Sequence, residues 1–292
     1  MEIAVFGNNY QSSYASQLRD FLSKLAATPS IRLKIEKSFS DYLSGIIGRI
    51  DGMETFEITA GFDADLVLSI GGDGTFLHTA ALIAPKEIPM MGINTGHLGY
   101  LAATRLDQTP HLINDIVEKN YLIEDRAMLT VEANKTLPSK LSITAALNEI
   151  VIQRTDLSNL IEVSAFIDGC HMTSYLGDGL IIATPTGSTA YNLSAGGPIL
   201  APNAPSWVMT PMAPHSLNIR PIVVDYNTEI RLTIKSRSQR FTLSVDGHSV
   251  VLTTDTELRI GRAPYVTRLV RLINQTFIDT LREKLLWGIS PR

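Results

Sequence analysis

"DLVLSIGGDGTFLHTA", residues 65–80, joins an apolar run to a glycine cluster and then to a second apolar segment of different period. ADLVLSI at 64–70 is short and almost wholly apolar, as a buried strand would be, and TFLHTAALIA after the glycines resumes at helical spacing. Strand, glycine turn and helix make one step of a parallel sheet covered by helices. The same step recurs on both sides. IAVFG at 3–7 reads as a strand, after which Tyr14, Leu18, Phe21, Leu22 and Leu25 form one helical stripe; IPMMGIN at 88–94 reads as the next strand. Such junctions lie at the carboxyl ends of strands, where open α/β sheets bind ligands.

From about Asp125 the pattern changes to period two. Ile161, Val163, Ala165 and Ile167 alternate with polar neighbours, as do Ile230, Leu232 and Ile234, and then Phe241, Leu243 and Val245. This is the signature of antiparallel strands with one buried face. The segment 104–120 reads as helical and joins the two regions. Prolines at 202, 205, 211, 214 and 221 argue for a loop or edge connection over 201–221. At 276–288 Phe277, Leu281 and Leu285, which Trp287 could join, share a helical face that Gly288 would end. The expectation is an α/β, Rossmann-like domain with a mostly parallel sheet over 1–120, a β-rich, sandwich-like domain over 121–268, and a C-terminal helix in 269–292 packing back on the first domain.

The chain has 292 residues, 45% hydrophobic and 18% charged, with a net charge of −4 and a pI near 5.9. No basic face for nucleic acid or an anionic membrane is expected, so any anionic ligand must be met locally. The start MEIAVFGNNY lacks a secretion pattern, and no run reaches the roughly 18 apolar residues of a membrane span, which points to a cytoplasmic protein. Cys170 is alone and reads as an inert small hydrophobe, and the six histidines show no metal-binding spacing, so no protein-built metal site is expected.

Gly71, Gly72 and Gly74 sit where helix-end amides favour an anion. Asp73 stands among them, and the lysine of a Walker loop is missing. A carboxylate beside phosphates makes sense if it faces a hydroxyl that must lose its proton on attacking phosphorus; a tight turn is the alternative. In TPTGSTAYNLS the hydroxyls of Thr184, Thr186, Ser188, Thr189, Tyr191 and Ser194 crowd around Gly187, offering themselves to a ribose or phosphate or decorating a polar loop. Asn148 and Glu149 could hold ribose hydroxyls or form a solvated strand end. Asp246 and Gly247 read first as a hairpin turn. His78 and His97 read as packing or helix residues.

Taken in order, GGDGT (71–75), GINTGHLGYL (92–101), Asn148-Glu149, GDGLIIATPTGSTAYNLSAGGPI (177–199) and DTLREKLLWG (279–288) resemble the NAD kinase family over nearly the whole chain. GGDGT alone is shared with lipid kinases; the long fourth motif is the specific one. The resemblance implies transfer of the terminal phosphoryl group of ATP, or of polyphosphate, to the 2′-hydroxyl of the adenosine ribose of NAD, giving NADP. It implies Asp73 as base or orienting acceptor. It also implies NAD contacts from Gly72, Gly74, Tyr100, Asn148, Glu149, Asp178, Thr189, Ala190, Tyr191, Ser194, Asp246 and Gly247. Mg²⁺ with ATP, a site between the domains and a homodimer or homotetramer are implied too. The rival readings are a diacylglycerol- or sphingosine-type lipid kinase and a non-catalytic dinucleotide-binding protein.

Overall fold

The computed structural model describes residues 1–58, 61–96, 99–106, 109–141, 143–156, 159–273 and 275–286, and of 109 and 110 only the backbone. His97, Trp287 and Gly288 lie outside the described residues. The chain divides into two compact units, Met1–Asp125 with Thr267–Arg292, and Arg126–Val266.

In the first unit, β1 (Glu2–Gly7), β2 (Arg32–Glu36), β3 (Met53–Phe56), β4 (Leu66–Ile70) and β5 (Met90–Asn94) form a parallel sheet in the order β3-β2-β1-β4-β5. A two-residue strand, β6 (Thr104–Arg105), runs parallel to the end of β5. The helices are α1 (Ala15–Ala26), α2 (Lys37–Ile47), α3 (Asp73–Ile83) and α4 (Thr109–Val117), so only the middle of segment 104–120 is helical. Leu18, Phe21, Leu22 and Leu25 of α1 are fully buried, and each contributes about 1.5–3 kcal/mol. That stripe, more than helix propensity, holds α1 in place. α2 starts where the Glu36 side chain accepts from the Ser38 and Phe39 amides.

Alternate residues of the strands, Ile3 and Val5, Leu66 and Leu68, Met91 and Ile93, share one apolar cluster with α1, α2 and α4. α3 takes no part in it and buries Phe76, Thr79, Ala80 and Ile83 on the other side of the sheet. The chain works outward from β1 in one direction through β2 and β3, and in the other through β4 and β5. The reversal falls between β1 and β4, whose carboxyl ends border the crevice where such sheets take ligands.

The chain enters the second unit along β7 (Tyr121–Ala133), which pairs with β8 (Ala145–Ala146). There follow β9 (Glu149–Arg154), β10 (Ile161–Ile167), β11 (Cys170–Gly177), β12 (Gly179–Ala183), the short helix α5 (Tyr191–Ser194) and β13 (Ser206–Met212). The unit then adds β14 (Ile222–Asp225), β15 (Ile230–Lys235), β16 (Arg240–Val245), β17 (His248–Thr253) and β18 (Leu258–Leu272). An antiparallel sheet β14-β13-β12-β9-β16-β17 faces β11-β10-β15-β18. Ile152, Leu180, Trp207 and Phe241 of one sheet and Val163, Leu232 and Ile260 of the other share one core. This is the sandwich that the period-two pattern implies.

The proline-rich stretch 201–221 departs from the expectation: it contains β13, an interior strand between β14 and β12. Pro211 fits because Met212 turns its carbonyl to the Asp178 amide on the β12 side (2.9 Å), so the nitrogen of Pro211 faces the other way. There β14 has already ended, at Ile222 opposite Met209, and no ladder bond is lost.

The chain returns to the first unit along the end of β18, where Leu269 pairs with Met90, and finishes in α6 (Phe277–Leu285). α6 starts on a cap, Thr276 accepting from the Asp279 amide, and buries Leu281. It stops before Gly288, at Leu286, which takes the left-handed conformation itself (φ 56°). Gln275 Nε2 donates to the Ala103 carbonyl at 3.2 Å within the same unit.

Candidate active site

β4 ends at Ile70, the Gly71 amide donates to the Ile93 carbonyl at 2.9 Å, and Gly72 caps α3 with no side chain of its own in the way. Asp73 is the first residue of α3, so its charge meets the positive end of the helix. Its carboxylate also gathers the loop after β5: it accepts from the amides of Tyr100 (2.8 Å), Leu101 (3.1 Å) and Ala102 (2.9 Å). Gly99 is needed for this approach, because a Cβ there would lie 1.8 Å from Asp73 Oδ1. A carboxylate offers about four lone-pair positions, so three amides leave it one for a hydroxyl. The acid is therefore fixed in direction, with its charge already answered by amides, and can stand among phosphates.

Two asparagines, Asn8 outside the sequence motifs and Asn94 within GINTGHLGYL, tighten this loop. Asn8, just past β1, donates to Thr75 Oγ1 at 2.6 Å and accepts from Gln11 Nε2 at 2.6 Å, tying the ends of β1 and β4 together. Asn94 Nδ2 donates to the Ala102 carbonyl at 3.3 Å. An asparagine at or just past the end of a strand was the available signal for both. Tyr100 buries its hydroxyl without a partner among the described residues, and the Lys284 ammonium lies 5.7 Å from its ring centre. Burial, and then the Asp73 charge, push the Tyr100 phenol up.

In the second unit the hairpin reading of Asp246-Gly247 holds, with both residues left-handed (φ 44° and 84°) between β16 and β17. The turn also does more. The Asp246 carboxylate accepts from the amides of Leu147 (2.7 Å), Asn148 (2.9 Å) and Glu149 (3.0 Å), so it holds the Asn-Glu pair as Asp73 holds its loop. Burial pushes Asp246 up to about 6 against those three bonds. Burial, followed by the Asp246 charge, pushes Glu149 up to about 8, while the Tyr191 backbone N–H works the other way. Glu149 Oε2 is buried and unpartnered among the described residues. At neutral pH Glu149 thus keeps its proton and can both donate to and accept from a sugar hydroxyl.

The 184–200 segment divides its hydroxyls between structure and surface. Thr184 Oγ1 donates to the Leu147 carbonyl (2.5 Å) and accepts from the Gly187 amide (3.0 Å). Ser188 Oγ donates to the Pro185 carbonyl (2.6 Å) and accepts from the Leu200 amide (3.0 Å), and Asn192 is locked by Thr210. Thr184 and Ser188 are therefore structural, and since both are fully buried they do not belong to a polar surface loop either. Thr189 and Ala190 are half-buried, and Tyr191 and Ser194 exposed. A Cβ on Gly187 would lie 2.1 Å from the Asn148 carbonyl oxygen, so the segment and the Asn-Glu pair pack backbone to backbone. Asp178 is not brought to them. It pairs with Arg154 (2.9 Å) at the far end of β12, about 17 Å along the strand from Ala183, which pairs with Glu149.

The ATP-NAD kinase N-terminal domain model matches residues 9–121, and the ATP-NAD kinase C-terminal domain model matches residues 147–272. The chain belongs to the NAD kinase family. It is 42% identical over 297 residues to the NAD kinase of Bacteroides fragilis, covering 100% of both chains. It is 40% identical over 301 residues to that of Porphyromonas gingivalis, covering 100% of this chain and 99% of the relative. Among solved structures, yeast NADH kinase complexed with NADH superposes with a TM-score of 0.87 at 25% identity, covering 100% of this chain and 89% of that one. An NAD kinase from Archaeoglobus fulgidus in complex with ATP superposes at 0.72 and 24% identity, covering 98% and 99%, and supports the fold.

The two raised acids give this NAD kinase a pH-dependent stability. Glu149 and Asp246 have folded values raised above their ordinary 4.5 and 3.8. Each therefore adds stability that is complete below its unfolded value and is lost as pH rises through the folded one. Glu149→Gln removes this loss. The unfolding free energies of wild type and variant should agree below about pH 4.5 and separate towards pH 9, the variant ahead by on the order of 3 kcal/mol. A constant difference across the range would contradict the raised acid.

Proposed function

We propose that this chain phosphorylates NAD at the 2′-hydroxyl of its adenosine ribose, with ATP or polyphosphate as donor, and releases NADP. The observation that carries the reading is Asp73. It stands at a strand–glycine–helix junction with three amides fixing its direction and one acceptor position left. In a loose phosphoryl-transfer transition state the acceptor's proton leaves late, so a fixed acceptor that aligns the alcohol matters as much as basicity.

Gly72 and Gly74, whose Cβ positions are open, leave room for phosphate oxygens beside the helix end. Asn148 and neutral Glu149, held by the Asp246-Gly247 turn, take ribose hydroxyls by donating and accepting. Thr189, Ala190, Tyr191 and Ser194 supply a face for the adenosine and Tyr100 an aromatic wall in its own unit, while Asp178, held by Arg154 at the other end of β12, is given no contact with them. Among the described residues no three His, Cys, Asp or Glu side chains gather. A divalent cation would come with the triphosphate, offsetting the charge of its oxygens. We place the enzyme in the cytoplasm, as a homodimer or homotetramer. Among the described residues no helix is long and apolar enough to cross a membrane. A lipid kinase or a pure binder has less support, because the full-length relatives are NAD kinases.

Purified protein incubated with NAD, ATP and Mg²⁺ should form NADP, read with an NADP-specific dehydrogenase; ATP consumption without NADP would refute the reading. Tyr191→Ala should weaken NAD binding by tenfold or more in calorimetry, since stacking on a base is worth ~1–3 kcal/mol. Because 43% of Tyr191 is exposed, the fold should survive, and an unchanged dissociation constant would remove this segment from the site.

A further inference from the structure

β1 ends at Gly7, and residues 8–11 carry the chain over the carboxyl edge of the sheet beside the glycine loop. Asn8 holds this crossing on two sides. Its Nδ2 donates to Thr75 Oγ1 at 2.6 Å and would lie 3.0 Å from a Cβ on Gly71. Its Oδ1 accepts from the Tyr10 amide at 3.1 Å and from Gln11 Nε2 at 2.6 Å. Gln11 is 1% exposed, and its own amide donates to the Tyr42 hydroxyl at 2.8 Å. The backbone of Tyr10 is thus fixed between two anchors, one of them part of the glycine loop. Its side chain is spent on nothing. At 87% it is the most exposed large apolar side chain among the described residues, and neither ring nor hydroxyl has a partner among them. An aromatic side chain ordinarily buries most of its surface, so a ring held out on a tied loop at a strand end marks a place for a ligand. The loop keeps this shape although Gln11 Oε1 is left buried with no donor among the described residues.

We propose that Tyr10 is the platform for the base of the phosphoryl donor, its ring stacking on the purine of ATP. This role rests on the phosphoryl transfer proposed above. There the acceptor hydroxyl goes to Asp73, and Gly72 and Gly74 leave room for phosphate oxygens at the head of α3. Asn8 joins Tyr10 to Thr75, two residues after Asp73, and two residues of chain reach at most about 7 Å. The ring therefore stands within the length of one nucleotide from those phosphates, at the edge where open α/β sheets take ligands. Stacking on a base also makes Tyr10 a selector between donors. A nucleoside triphosphate gains from the ring, and polyphosphate, which has no base, does not.

The test is calorimetric titration of the full chain, with Mg²⁺, by a non-hydrolysable ATP analogue and by inorganic tripolyphosphate. Tyr10→Ala should weaken the analogue by about tenfold or more, the loss of one base–aromatic stack, and leave tripolyphosphate within about twofold. Tyr10→Trp should restore the analogue. In turnover the Tyr10→Ala protein should need correspondingly more ATP to reach half its maximal rate, with the KM for NAD unchanged. The side chain is exposed, so circular dichroism should not move. Unchanged analogue affinity would leave Tyr10 a surface residue, equal losses for both ligands would make it a brace of the glycine loop, and a raised KM for NAD would give the ring to the acceptor. Each of these overturns the proposal. A chain that bound the analogue through Tyr10 yet made no NADP would sink the acceptor assignment and leave the platform standing.

Discussion

Asp73→Asn should lower NADP formation by about 10²–10⁴-fold, the range of a lost proton acceptor, while NAD affinity stays within about tenfold. The loop contacts complicate that substitution. Oδ1 accepts two amides and Oδ2 one, so an asparagine must turn its NH₂ towards at least one N–H donor. Part of any loss will come from a loosened loop. Gly99→Ala separates the two effects, because its Cβ would strike Asp73 Oδ1 and displace the loop while the carboxylate remains. If Asp73 meets the sugar hydroxyl, Asp73→Asn must fall well below Gly99→Ala in kcat. Equal losses would make Asp73 a loop anchor and nothing more.

Gly187→Ala should be the most damaging conservative change in the second unit. The new methyl would lie 2.1 Å from the Asn148 carbonyl oxygen and 2.4 Å from its carbon, and backbone cannot swing aside as a side chain does. Overpacking of this kind costs about 3 kcal/mol, or roughly 10 °C in melting temperature for a unit of this size. NAD binding should fall with it, since the strain is relieved by moving Asn148. Gly45→Ala on α2 is the control: its Cβ meets nothing within 4 Å, so stability should hold or rise slightly. A Gly187→Ala protein as stable as wild type would mean that the segment and the Asn-Glu pair are not packed as described.

The parallel sheet was legible because buried strands and helical stripes leave local marks: Leu18 to Leu25 and Leu66 to Ile70 announce their own periods. The sandwich was legible for the same reason. What sequence could not show is where a polar group spends its bonds. Thr184 and Ser188 look like Ser194 in one dimension, yet the first two are buried and bond inward to backbone while Ser194 is exposed. Asp246 reads as a turn residue and is one, but its grip on three amides depends on strands nearly a hundred residues apart. Proline counting failed at 211 because its cost depends on which side of the strand lacks a neighbour.

The most direct measurement follows label from [γ-³²P]ATP into dinucleotide, comparing NAD with an analogue whose adenosine ribose lacks the 2′-hydroxyl. The account predicts labelled NADP from the first and no labelled dinucleotide from the second. Label entering the 2′-deoxy analogue, or none entering NAD, would contradict it.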